Sequence, residues 1–265
     1  MNAFSKTDLE TFGATFADQG YLVLRDVVPK AELTQLKQQI FDEFEVSKRS
    51  GQLFAGGGQI SGHLNCFPGE GARFAHEALV QRGVIDLVQS LYPKPMAMRV
   101  SCNLNLPRSG AQHYHMDGVF TEDFMIANVA VVDTDLVNGA IDVLPRTHQR
   151  FYEFWRYALQ RRYRLTTRLP LKQGDVLVRT SRLWHRGMPN NSPTPRPMLA
   201  FTFGEKVAPK GDPFRFNDGK IKFDPNWFAP NFLGRLRERT FVTAPLSYSA
   251  YRFARSLVGK KGYDS

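Results

Sequence analysis

The spacing of apolar residues changes near Met96. Before it the spacing is mostly helical. Thr7 to Glu10 reads as a capping box, S/T-x-x-E, that opens a short helix to about Ala17. "GYLVLRDVV" (20 to 28) reads as a strand entered through Gly20. Pro29 then opens "PKAELTQLKQQIFDEFEVSKR", where Leu33, Leu36, Ile40, Phe41 and Phe44 recur at helical intervals. A glycine-rich loop is expected over residues 51 to 71, followed by short helices at about 72 to 82 and 84 to 92.

Beyond Met96 the apolar positions fall in short runs bounded by turn residues: "MAMRVSCNLNL", "QHYHMD", "FMIANVAVVD", "IDVLP", "YRLTTRLPL", "DVLVRT" and "RPMLAFTFGEKV". Runs this short and close predict an antiparallel sandwich or jelly roll, because a parallel sheet needs a long crossover between strands. Helical spacing returns in "DPNWFAPNFLGRLRERTF" and "APLSYSAYRFARSLVG". The pattern therefore predicts a mainly β fold with flanking α, as one domain over residues 1–265. Its core would run from about 18 to 205, with a basic helical extension from about 225 to 265.

Composition adds limits on where the protein works and what it meets. Two cysteines, Cys66 and Cys102, form no disulfide framework, which suits a reducing compartment. No secretory leader and no membrane-length apolar run is evident, so a soluble, cytoplasmic protein is expected. The net charge is +10, concentrated in residues 146 to 168 and from Arg235 to Lys261. Such clusters suit an anionic or carrier-linked small molecule or, for the tail, peripheral contact with a membrane; the alternative is a solvated basic face. The arginines and aromatics of 146 to 168 stand at helical spacing, which favours an amphipathic, partly packed helix over a specific nucleic-acid surface. Oligomeric state is not legible.

Chemistry gathers at "AQHYHMDG", residues 111 to 118. If this is a strand, His113, His115 and Asp117 share one face. His113 and Asp117 would stand about 13 Å apart along it, too far to share a metal ion, so His115 and Asp117 are the better pair. His185, in "DVLVRTSRLWHRGMPNN", stands at or just beyond an apolar strand and completes a two-histidine, one-carboxylate set. That set suits non-haem Fe(II) with positions left open. Of the other histidines, His76 lies inside a helical stretch as a surface or packing residue, and His148 follows a proline as a turn residue.

These motifs resemble those of the phytanoyl-CoA dioxygenase family: "HMDG", "NGAIDVLPRTH", "GDVLVRTSRLWHRGMPNNSPTPRPMLAFTF" and the earlier "GYLVLRDVV". The resemblance runs from about residue 18 to 205. It implies a double-stranded β-helix, a cupin-like jelly roll, packed against N- and C-terminal helices. It also implies a dioxygenase that uses Fe(II), 2-oxoglutarate and O₂, with His115, Asp117 and His185 as metal ligands. Arg196, which follows His185 at the family spacing, would grip the far carboxylate of 2-oxoglutarate through a two-point contact that a lysine cannot reproduce. Asn128 falls in register with a family position near that cosubstrate, and Asn103 and Asn105 are weaker candidates of the same kind. Asn138, Gly139, Pro145 and His148 fill the loop-ordering motif, but Arg146 stands where the family often has a turn glycine, so a changed turn type is expected. Asp117 itself favours hydroxylation over halogenation, for which relatives vacate that position.

The implied reaction is hydroxylation of an aliphatic C–H bond of a small-molecule or carrier-linked substrate, releasing succinate and CO₂. Desaturation, epimerisation or ring closure on the same scaffold would begin alike. A reading from another class is a basic nucleic-acid- or membrane-binding protein with a non-catalytic metal site. No catalytic residue beyond the metal centre is expected. Substrate-side candidates are His63 and Asn65 in "GGGQISGHLNCF", His113, and Trp184 beside His185.

Overall fold

The computed structural model describes residues 4–50, 62–205, 211–223 and 232–258. The first helix, α1 (Lys6–Gln19), has its capping box at Ser5–Asp8, two residues before the expected one. Ser5 Oγ accepts from the Asp8 N–H at 3.1 Å, and the Asp8 carboxylate accepts from the Ser5 N–H at 2.9 Å. This reciprocal pair satisfies donors that a helix start leaves open. Gly20, at φ +82°, ends the helix in the left-handed region and turns the chain into β1 (Tyr21–Leu24). Helices α2 (Lys30–Arg49), α3 (Arg73–Gln81) and α4 (Val84–Leu91) follow the apolar spacing. Between α2 and α3, residues His63–Phe67 form β2 rather than loop; Gly56, Gly57 and Gly58 lie outside the described residues.

The β elements that follow are β3 (Ala97–Asn105), β4 (Met125–Ala130), β5 (Ile141–Leu144), β6 (Thr167–Leu169), β7 (Val176–Thr180), β8 (Trp184–Arg186), β9 (Arg196–Gly204) and β10 (Lys222–Phe223). The helix expected across 146 to 168 shrinks to α5 (Phe154–Leu159). After it come α6 (Phe232–Thr243) and α7 (Pro245–Leu257). No helix among the described residues is long and apolar enough to cross a membrane.

Two antiparallel sheets result, one of seven strands in the order β1-β7-β4-β9-β3-β2-β10 and one in the order β6-β5-β8. The large sheet turns Val100, Cys102, Leu104, Val129 and Phe201 toward Leu33, Leu36, Ile40 and Leu87 of the helices, forming the main core. Side chains alternate along a strand, so its other face carries a second set of residues, aligned by register. Across that inner face run Arg179, Ile126, Thr202 and Arg99 in one row, and Leu177, Asn128, Ala200 and Ser101 in the next. A further row holds Arg196, Asn105 and His63. Toward β7 and β4 the gap between the sheets is closed by Ile141, Val143, Leu177, Leu183 and Met198. The chemistry therefore gathers where the inner face turns polar.

Candidate metal centre

Residues 111–118 do not form the expected strand. Pairing with β8 is confined to a single bridge, in which the His115 N–H donates to the His185 carbonyl at 3.0 Å and the reverse bond is 2.8 Å. Two more backbone bonds flank it, from Gln112 N–H to the Gly187 carbonyl and from Asp117 N–H to the Ser181 carbonyl, each 2.8 Å. This loose ladder brings two distant histidines side by side, with ring centroids 4.4 Å apart.

The side-chain bonds settle which imidazole atoms are presented. His115 Nδ1 lies 2.7 Å from the His113 carbonyl, and His185 Nδ1 lies 3.0 Å from the Leu183 carbonyl. A carbonyl only accepts, so each Nδ1 carries the hydrogen and each Nε2 keeps its lone pair. Those Nε2 atoms face Asp117, at 3.9 Å from Oδ1 for His115 and 3.7 Å from Oδ2 for His185. The three ligand atoms lie within 4.8 Å of one another. Burial pushes both imidazoles below their usual range and so keeps them neutral. Burial alone would raise the Asp117 carboxyl, but the Arg179 guanidinium, together with the His185 and His115 imidazoles, outweighs it and holds the group well below the usual carboxylate range. Two neutral imidazoles and one ionised carboxylate suit a divalent transition metal such as Fe(II).

Arg179 is the functional residue missed in the sequence. Its Nη1–H donates to Asp117 Oδ2 at 2.7 Å, and its Nε–H donates to Asn128 Oδ1 at 3.0 Å. The clue was an arginine in the apolar run "DVLVRT", since a charge in a buried strand needs a partner. A second tie lies behind the histidines. Tyr114 O–H donates to the buried Asp142 carboxylate, which also accepts from Arg186 Nε at 3.2 Å. Tyr114 precedes His115 and Arg186 follows His185, so Asp142 on β5 binds the backs of both segments together.

Arg196 opens β9 and is 4% exposed. Its Nε–H donates to the Asn138 carbonyl at 3.2 Å, and no carboxylate lies within ion-pair distance among the described residues. Burial brings it down to about 10, still charged at neutral pH. Its row neighbour Asn105 has a buried Oδ1 with no partner among the described residues. His63 completes the row, lying 2.7 Å through Nε2 from the Gly110 carbonyl and brought down to about 4 by burial. Both Arg196 and His115 act electrostatically on His63, so this row reaches toward the triad. A buried guanidinium without a carboxylate fits one end of a dicarboxylate.

On the other side a cavity of about 580 Å³ opens beside Asp117 and Arg179. Ser101, Thr202, Arg99 and Asn65 line it, with Ile126 and Phe124 as apolar patches; Arg196 does not. The remaining candidates are placed as follows. Asn128 is engaged by Arg179, and Asn103 Nδ2 donates to Asn65 Oδ1 at 3.2 Å. The His113 ring rests 5.0 Å from that of Tyr248. Trp184 stacks against Phe154 within the aromatic cluster rather than facing the triad. His76 packs against Phe201 and Phe214, as a packing residue should.

The sequence profile of the phytanoyl-CoA dioxygenase (PhyH) family matches residues 16–198. Solved structures with the same fold include SnoN from nogalamycin biosynthesis, in complex with Fe3+, alpha-ketoglutarate and nogalamycin RO. It is 18% identical with a TM-score of 0.60, covering 79% of this chain and 90% of that one. AviO1 from Streptomyces viridochromogenes Tue57 is 19% identical with a TM-score of 0.58, over 79% and 100%. HygX from Streptomyces hygroscopicus, solved with nickel, 2-oxoglutarate and hygromycin B, is 12% identical with a TM-score of 0.55, over 77% and 88%.

Proposed function

The chain belongs to the phytanoyl-CoA dioxygenase family of iron- and 2-oxoglutarate-dependent oxygenases, and from that premise we propose that it oxidises an aliphatic C–H bond of a small hydrophilic molecule at a metal held by His115, Asp117 and His185. The observation that carries the ligand assignment is the convergence of two Nε2 lone pairs on one carboxylate, each imidazole fixed through its Nδ1–H.

When bound, iron and 2-oxoglutarate supply an oxidant able to take hydrogen from an unactivated carbon, with O₂ consumed and succinate and CO₂ released. The chain's own residues arrange that chemistry. Arg179 donates to Asp117 Oδ2, so Oδ1 would be the oxygen open to a metal. Arg196, with no protein carboxylate within ion-pair distance among the described residues, would take the far carboxylate of 2-oxoglutarate through two parallel N–H bonds. Asn105, whose Oδ1 has no partner among the described residues, and His63 stand in the same row as Arg196.

The substrate enters from the opposite side, beside Asp117. Small-molecule pockets are mostly apolar, whereas this one offers hydroxyls from Ser101 and Thr202, an amide from Asn65 and a guanidinium from Arg99. That lining suits a hydroxylated, charge-bearing molecule better than a long acyl chain.

The test is anaerobic addition of Fe(II) and then 2-oxoglutarate, which is expected to give a weak visible charge-transfer band. His115→Ala, Asp117→Ala and His185→Ala should each lose the band and the slow 2-oxoglutarate-dependent release of succinate. A full band and full turnover in any of the three would remove that residue from the ligand set.

A further inference from the structure

The family match ends at residue 198, yet the last described helix reaches back to the segment that carries His115. Tyr248, Arg252 and Ser256 recur every four residues along α7 and are all buried, so they form one stripe. The Tyr248 ring rests on His113. Arg252 Nη1–H donates to the Tyr114 carbonyl at 2.7 Å, with its guanidinium 4.2 Å over the Phe154 ring. Ser256 Oγ accepts from the Trp155 N–H at 3.0 Å and so fastens the helix to α5.

This matters because residues 111–114 lack a continuous ladder to fix them. Two carbonyls precede His115. That of His113 orients the imidazole through Nδ1–H, and that of Tyr114 is held by Arg252. A buried guanidinium is costly unless it is bonded and packed, and this one donates to a peptide beside a candidate ligand.

We infer that α7 is a working part of the metal centre, with Tyr248 and Arg252 as positioning residues that hold peptides 113 and 114 so that His115 Nε2 faces Asp117. The inference rests on the triad being the metal site. Groups that orient a metal ligand typically govern affinity by 10- to 100-fold.

The full chain is titrated with Co(II) under anaerobic, 2-oxoglutarate-free conditions, following the visible bands. The native protein should bind one equivalent, and His185→Ala should lose it. Arg252→Leu and Tyr248→Ala should weaken binding by roughly 10- to 100-fold and alter the bands at saturation. Arg252→Lys, which can still donate to the Tyr114 carbonyl, should recover most of the affinity. Leu87→Ala, a cavity in the helix layer, controls for lost stability and should leave the bands and affinity unchanged. Native affinity and native bands in both Arg252→Leu and Tyr248→Ala would overturn the role of α7 while leaving the triad intact. No binding by the native chain would sink the triad and this inference together. Should the variants fail to fold, coupling is reciprocal, so saturating Co(II) must slow amide exchange in α7 of the native chain. Unchanged exchange there would equally overturn the proposal.

Discussion

At the residue scale, the most informative side chain is Arg179, because it joins the candidate metal-ligand carboxylate of Asp117 to the sheet. Removing it leaves Asp117 ionised beside two neutral imidazoles, and breaking such a pair costs about 3–5 kcal/mol when it is fully buried. Asp117 is partly open to the cavity, its side chain 28% exposed, so a cost nearer 2 kcal/mol is expected after screening. A divalent metal would restore the missing positive charge. Adding Ni(II) should therefore raise the melting temperature of Arg179→Leu by more than it raises that of the native protein. An equal or smaller rise would show that Arg179 does not balance the carboxylate. Arg196 makes a separate prediction. Charge-assisted bonds are worth about 1.5–3 kcal/mol, so Arg196→Leu should weaken 2-oxoglutarate binding by roughly 10- to 150-fold, measured anaerobically by calorimetry. Arg196→Lys should recover only part of that, since an ammonium cannot make the two-point contact. The sequence carried His115, Asp117, His185 and Arg196 because their spacing is itself a signal. Arg179 carried only the clue of a charge inside an apolar run, since its partner lies 62 residues away and only the folded register joins them.

At the element scale, the segment around His115 shows how two candidate ligands can converge without the geometry expected for them. The strand expected over "QHYHMD" is one bridge and two flanking bonds. His115 and Asp117 still converge because β8 supplies the alignment that a regular strand would have given. The helix layer was more legible, since amphipathic stripes such as Leu33, Leu36, Ile40 and Phe44 declare their buried face locally. Strand β2 was hidden within a glycine-rich stretch, where turn residues dominate the local signal. The turn at Arg146 is a correction of another kind. The arginine adopts φ +69°, in the left-handed region, so the turn a glycine would favour is kept rather than changed. Its guanidinium pairs with Asp18 through two bonds of 3.0 Å, tying this loop to α1. Arg146→Ala loses that pair and keeps the strained backbone, whereas Arg146→Gly loses the pair but relieves the strain. In urea unfolding the glycine variant should have the higher midpoint of the two. The reverse order would mean that the turn does not hold strain at this position.

At the scale of the whole molecule, the excess of positive charge turns out to be partly internal. Arg168 and Arg186 face Asp142, Arg182 faces Asp123, and Arg252 is buried over Phe154. Runs of arginine and aromatic residues that read as a surface for partners thus include charges used to hold the site. The same economy makes the fold sensitive to acid. His63 is 1% exposed, and burial depresses it from 6.5 to about 4. Between those values the unfolded chain binds a proton that the folded chain refuses. Stability is therefore full above about pH 6.5 and declines as pH falls toward 4. The span corresponds to roughly 3 kcal/mol for this residue alone. His115 and His185, also kept neutral by burial, act in the same direction. With metal removed by chelation, the unfolding free energy of the native chain should be flat from pH 7.5 to about 6.5 and fall steeply below. His63→Gln cannot be protonated, so it should begin less stable at pH 7.5 and show a shallower decline. Parallel pH profiles for the two proteins would mean that His63 takes up its proton without unfolding and that its burial is not what makes the fold acid-labile.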